Sequence, residues 1–261
     1  MDKNEEIVRL FARLDDLLAR AEHGEVAASA FLSPRELHFA RRELARRGAL
    51  FFDHGGYDGA ERRKIYFLPD YMEGVTSNEQ LEEYGYSADI CAILVRGSGF
   101  SALSHRDFMG SLLGLGIERS VIGDIVVTKA EREAVVFCEA NMVDFLLDTW
   151  VKAGNDKIKT ERFCVPSDFT PERSFLPISD TVASPRLDAV VASVCKLSRE
   201  RARELVENEA VEVDYEMSQR PDKIITAPCV LTARGYGKFR ILSVSEQTKK
   251  GRYRFAAEKY L

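Results

Sequence analysis

A multi-domain α+β chain is what this sequence predicts, and three observations carry that reading. Helical and strand periodicities alternate along the 261 residues. One stretch, 87–165, orders them as β-α-β-β-α-β. A Pro-, Ser-, Asp- and Thr-rich interval, 166–183, then separates an acidic body from a basic C-terminal module. The expected layout is an N-terminal α+β domain at 1–86, a ferredoxin-like (RRM-like) domain at 87–165, a linker at 166–183, and a module of two helices on a small sheet at 184–261.

The first segment opens with Ile7, Leu10, Phe11, Leu14, Leu17 and Leu18 at helical spacing. A second helix is expected from Ser33, which forms a capping box with Glu36 and places Pro34 at the first helical position. Leu37, Ala40, Leu44 and Ala45 form its apolar stripe, and Gly48 suits its end. Strands are predicted at 49–53 and 64–68. The glycine-rich loop between them, HGGYDGAERR, lacks the GK[ST] of a phosphate-binding loop.

In the second segment, strands are predicted at 90–95, 123–128, 134–138 and 158–165, and helices at 104–113, with Ser104 and Asp107 as a cap pair, and at 141–150. This order suggests a ferredoxin-like unit, a fold that hosts RNA readers and many other functions, and the aromatic strand signature of such readers is missing.

In the third segment, Ser184 with Pro185 predicts a helix start, and Leu187, Val190, Val191 and Val194 its buried stripe. Ser198 is expected to cap a second helix over 199–207, with Ala202, Leu205 and Val206 facing inward. Strands follow at Val211 and Val213, at 230–233 and at 239–242, and the alternation of Arg252, Tyr253, Arg254 and Phe255 predicts a closing strand.

Composition narrows the classes of function. No apolar run is long enough for a transmembrane helix, and the first 20 residues lack the pattern of a signal peptide. Five dispersed cysteines without a CxxC pair argue against zinc or a disulfide framework and for reduced, buried thiols. The expectation is a cytoplasmic protein without metal or cofactor. The net charge of −5 is unevenly spread: from Thr181 to Leu261, 15 Lys and Arg face 11 Asp and Glu, whereas the rest has 22 against 31. Arg234, Lys238, Arg240, Lys249, Lys250, Arg252 and Arg254 lie in one short stretch opposed by Glu246 alone.

A phosphate-binding constellation follows. Arg199 and Arg203 are four residues apart and share a helical face, with Arg186 expected nearby. The Ser198 cap leaves N–H groups at a helix start, which suits phosphate, and guanidinium binds phosphate through paired hydrogen bonds. Lys196 adds charge before the cap, and RGYGKFR adds Arg234, Lys238 and Arg240 around Tyr236, expected to be exposed. Cations interleaved with an aromatic suit RNA, where backbone contacts accompany stacking on unpaired bases. The alternative is a set of surface salt bridges, because Glu200, Glu204 and Glu207 share the same helix.

The run SPRLDAVVASVCKLSRERARELVENEAVEVD resembles the S4 RNA-binding domain family through Arg186-Leu187-Asp188, Ser198-Arg199, Ala202, Leu205-Val206 and Val211-x-Val213. It departs from that pattern at Glu209, where Gly is usual, at Asp214-Tyr215 in place of Asn-Gly, and at Ala227-Pro228 in place of Gly-Asp. Asn208 is expected to supply the left-handed residue instead. LSHRDFMGSLLGLGIERSVIGDIVV, RGYGKFR and TKKGRYRFAAEKYL extend the resemblance, over nearly the whole chain, to the YlmH family of S4-domain proteins. That resemblance implies a non-enzymatic protein whose partners are RNA (large-subunit rRNA and peptidyl-tRNA) and the ribosome, with no membrane. It implies a role in ribosome-associated quality control, and related roles in cell division or photosystem biogenesis.

Two readings rival this one. An RNA-modifying or other enzyme would need a catalytic signature. His105-Arg106-Asp107 resembles part of a kinase catalytic loop, but the other kinase elements are missing, and neither Ser98 nor Ser111 sits in a GxSxG elbow. A protein-interaction scaffold, in which the acidic body does the work, is the second rival.

Overall fold

Local capping chemistry sets the best-predicted boundaries. In a computed structural model describing residues 3–87, 89–128, 132–171, 175–247 and 251–260, helix α1 spans Lys3–Glu22, strand β1 Ala27–Ala28 and helix α2 Pro34–Arg47. Ser33 Oγ accepts the Glu36 N–H at 3.3 Å, the Glu36 carboxylate accepts the Ser33 N–H at 2.8 Å, and Gly48 ends α2 at φ 67. The helices pack Leu10, Leu14, Leu37, Ala40 and Leu44 on one side of a small sheet, β1-β3-β2, made with β2 (Phe51–His54) and β3 (Lys64–Phe67). A short helix α3 (Asn78–Glu83), capped by Ser77, adds to the expected elements.

The next seven elements are β4 (Ile90–Gly97), α4 (His105–Gly114), β5 (Ile122–Val127), β6 (Glu133–Glu139), α5 (Val143–Thr149), β7 (Lys152–Ala153) and β8 (Asp156–Phe163). Their sheet order, β5-β6-β4-β8-β7 with every pairing antiparallel, is the expected ferredoxin-like topology plus one short edge strand. Phe108, Leu112, Val143, Leu146 and Trp150 cover one sheet face. The opposite face is covered from elsewhere in the chain. Tyr57 lies 4.7 Å from the Phe137 ring, and Phe169 packs on Tyr57, Phe137 and Phe163.

The glycine-rich loop makes this cover. Asp124 on β5 accepts the Tyr57 hydroxyl at 2.5 Å and the Glu61 and Arg62 N–H groups at 2.8 and 2.9 Å. The Arg62 guanidinium donates to the carbonyls of Phe31, Arg119 and Ile122. At Gly56 a Cβ would stand 2.5 Å from the Phe137 ring, so only glycine lets the loop lie this close. Buried Lys64 reaches Asp89 at 2.6 Å and Glu139 at 2.9 Å. The 86/87 boundary expected from sequence thus falls inside one compact unit, 1–172, and a second unit comprises 173–261.

In the second unit the expected linker needs correction. Residues Phe175–Val182 form strand β9, paired along its whole length with β14 (Tyr253–Tyr260). The six-stranded sheet runs β11-β10-β12-β13-β14-β9, completed by β10 (Val211–Val213), β11 (Glu216–Met217), β12 (Cys229–Ala233) and β13 (Gly237–Gln247). Because β9 is an edge strand, Pro177 is tolerated there. Helices α6 (Leu187–Cys195) and α7 (Arg199–Glu207) pack Leu187, Val190, Val191, Ala202 and Val206 on one sheet face.

Two local expectations also change. Helix α6 starts after Arg186, not at Ser184, because Pro185 accepts the Ile225 N–H at 2.8 Å and Arg186 bridges Ile224, which keeps the chain extended. The left-handed positions are Glu209 (φ 55), Asp214 (φ 50) and Tyr215 (φ 65), and Asn208 stays at φ −89. Glu209 therefore takes the strained conformation itself, and Asp214-Tyr215 makes the two-residue hairpin turn that favours positive φ at both places. Cys138 and Cys229 are buried as core thiols, whereas Cys164, one residue past β8, is exposed, contrary to expectation. Among the described residues no helix is long and apolar enough to cross a membrane.

Candidate nucleic-acid interface

The second unit brings two of the expected arginines onto one carboxylate. Asp188 sits in the first turn of α6, its N–H held by the Pro221 carbonyl at 3.0 Å, and its side chain is 4% exposed. Arg186 Nε and Nη2 donate to it at 3.2 and 3.1 Å, and Arg199 Nε and Nη2 at 3.2 and 3.4 Å. Burial by itself would raise the Asp188 carboxyl, but the four N–H groups outweigh it and hold the group below the ordinary carboxylate value. A guanidinium has five N–H donors, so each arginine keeps donors for an outside anion while its plane is fixed. Arg199 presents 55% of its side chain to solvent.

Helix α7 supplies the remainder of this surface. Ser198 Oγ accepts the Arg201 N–H at 3.2 Å, the cap expected from sequence. Arg203, one turn beyond Arg199, pairs with Glu207 at 2.7 Å, and Arg201 pairs with Glu204 at 2.6 Å. These are the glutamate pairings that the salt-bridge alternative anticipates. Both are exposed pairs and open readily to a stronger anion. Arg186 and Arg199, by contrast, are oriented by a buried group.

The RGYGKFR cluster is not one patch. Strand pleating sends Phe239 and Ile241 into the helix-facing core and Lys238 and Arg240 to the opposite sheet face. There Lys238 Nζ lies 4.7 Å from the Tyr260 ring centroid and 5.4 Å from that of Tyr215, and Arg240 stacks on Phe175 at 4.9 Å while donating to Glu258 at 2.6 Å. Arg234, at the β12–β13 turn, is exposed and has no ion-pair partner among the described residues. Tyr236, expected to be exposed, is half-buried on the helix-facing side. With Lys196 and Lys259 it lines a groove of about 470 Å3. The expected residues thus form three groups and one isolated cation: Arg186, Ser198, Arg199 and Arg203 on α7 and at the two helix starts, Lys196 and Tyr236 in the groove, Lys238 and Arg240 on the far sheet face, and Arg234 by itself at the β12–β13 turn. Lys249 and Lys250 lie outside the described residues, and Arg252 is tied to Thr181.

Asp188, Lys259 and the ring pair Phe175–Tyr260 escape the sequence reading. The Asp188 role is hinted at by Arg-Leu-Asp followed by Ser-Arg, but the other three depend on the β9–β14 pairing. In the first unit, Asp107 bonds back to Ser104 as a capping box, Ser111 Oγ accepts the Trp150 indole N–H at 2.8 Å, and Ser98 bonds Asp156. No group of three or more His, Cys, Asp or Glu placed to hold a metal occurs among the described residues.

Residues 82–165 match the family model described as "Putative RNA-binding domain in YlmH". This family match lies in the first unit, outside the cluster just described. The chain is 28% identical over 229 residues, 88% of its length and 85% of the relative's, to the Ribosome-associated protein quality control protein P2 of Bacillus subtilis (strain 168). Among solved structures it is similar to the Cell division protein ylmH from Streptococcus pneumoniae, with 16% identity and a TM-score of 0.46 over 61% of this chain and 88% of that one.

Proposed function

For this YlmH-like chain, we propose RNA binding through an S4-type second unit, directed at structured RNA of the large ribosomal subunit. The role is quality control in the cytoplasm on stalled subunits that still hold peptidyl-tRNA. The observation that carries the reading is the Arg186–Asp188–Arg199 bridge, two guanidinium planes fixed by one buried carboxylate with donors to spare. The relative's name supports the ribosomal setting, and no catalytic step is part of the proposal.

The test is co-sedimentation with purified large subunits. Arg199→Ala combined with Arg203→Ala is expected to weaken association by roughly 10- to 100-fold, with unchanged unfolding behaviour. The slope of log affinity against log salt should fall by about one per lost phosphate contact. Wild-type co-sedimentation by the double variant would end this assignment. An affinity that is flat in salt would favour a protein-interaction scaffold.

A further inference from the structure

The groove that holds Lys196 and Tyr236 has features that the fold itself does not require. It lies between β9, the last turn of α6 and the β12–β13 turn. Its floor is apolar, from Val194 and Phe239, and Leu176 at its mouth is 48% exposed. Lys259 Nζ lies 5.8 Å from the Phe239 ring centroid, drawn over the floor by the ring. Gly237 leaves room for that lysine, since a Cβ there would come within 3.0 Å of Lys259 Cε. Lys196 ends α6 in the left-handed conformation, two residues before the Ser198 cap. Neither lysine has an ion-pair partner among the described residues. Asp180, on β9 itself, is engaged by the Ser193 hydroxyl and the Thr181 N–H and is not part of the lining.

A flat aromatic ligand carrying negative charge satisfies all of these features. We propose that the groove accepts one unstacked nucleotide of the bound RNA, with its base between Leu176 and Tyr236 above the Val194 and Phe239 floor and its phosphate between Lys196 and Lys259. This rests on the RNA-binding reading above and adds a preference for RNA with an unpaired nucleotide. The Cys195 thiol on the groove wall is pushed up to about 11, chiefly by burial, so it stays neutral and does not repel the phosphate. Tyr236 contacts Arg201, so the groove adjoins the helix that carries Arg199.

The experiment compares two RNA hairpins that differ by one bulged nucleotide, titrated against the full-length chain. Wild type is expected to prefer the bulged hairpin by about tenfold, the worth of one stacked base. Lys196→Gln with Lys259→Gln should bring the ratio of the two affinities to about one, on top of a loss common to both hairpins from the two missing charges. Leu176→Asp, at an exposed position, should do the same through repulsion, with an unchanged melting temperature as the folding control. A 4-thiouridine in the bulge should crosslink to Tyr236. Equal affinity of wild type for the two hairpins, or equal losses on both in the variants, overturns the groove proposal alone. Salt-sensitive binding to neither hairpin overturns the RNA reading as well.

Discussion

Both units place aromatic side chains on the sheet face that their helices leave uncovered, and they treat them in opposite ways. In the first unit Phe137 is fully buried under Tyr57 and Phe169, held by a loop that Asp124 ties down. In the second, Tyr215, Phe175 and Tyr260 remain half-exposed beside Lys238 and Arg240. Whether the open face of such a sheet can meet a ligand thus depends on whether earlier or later chain covers it. The largest effect should come from breaking that cover. Phe137→Ala is expected to cost the first unit about 3–5 kcal/mol in urea unfolding, with Trp150 fluorescence as the reporter. A loss below about 1 kcal/mol would mean that the cover is loose and the contrast between the sheets overstated.

The next effect concerns the second unit. Asp188→Asn leaves two guanidinium groups without their anchor and is expected to cost about 1–3 kcal/mol of stability. It raises the net positive charge of the interface, yet RNA affinity should fall, because orientation is lost. A rise in affinity would show that charge alone drives binding.

Titration separates the units by a smaller margin. All four histidines lie in the first unit, and burial holds His54 and His105 below the ordinary value of 6.5. The unfolded chain therefore takes up protons first, so the first unit should lose stability as pH falls from about 6.5 through those lowered values. In the second unit Asp180 and Asp188 are lowered instead, so their contribution is complete above the unfolded value of 3.8 and is lost only as pH falls below it. Hydrogen exchange followed separately in each unit between pH 7 and pH 3 checks the order. Simultaneous loss would refute it.

How far sequence reaches follows the same divide between local and distant causes. The caps at Ser33, Ser104 and Ser198 are read correctly because the bonded atoms lie within three residues of each other. The β-α-β-β-α-β order is legible because each element carries its own period. Strand β9 is not, since its partner β14 lies more than 70 residues away and Pro177, Ser179 and Asp180 look like linker residues. Helix α6 begins late because 221–225 holds the chain before it. In the candidate site, Arg199 and Arg203 follow from helical spacing alone. Placing Lys238 opposite Tyr236 requires the strand register, and Lys259 enters only through the pairing of β14 with β13 and β9.

The smallest expected effect is also the sharpest test of the contrast. One rim of the first sheet stays uncovered and carries Lys152, Lys157 and Lys159, all exposed. Lys152 stands directly opposite Lys157, a like-charge pair that costs stability in an antiparallel ladder. Arg96, opposite Lys159, is already neutralised by Glu133 at 3.1 Å and Glu161 at 2.5 Å, but the three lysines have no ion-pair partner among the described residues. Folding gives no reason for them, whereas a polyanion passing this edge would. Replacing all three by Gln is expected to leave stability unchanged or slightly higher and to weaken RNA binding by less than about tenfold, with a shallower salt dependence. An unchanged salt slope would confine RNA contact to the second unit. A loss larger than that of Arg199→Ala with Arg203→Ala would reverse the assignment and make the covered unit the principal RNA reader.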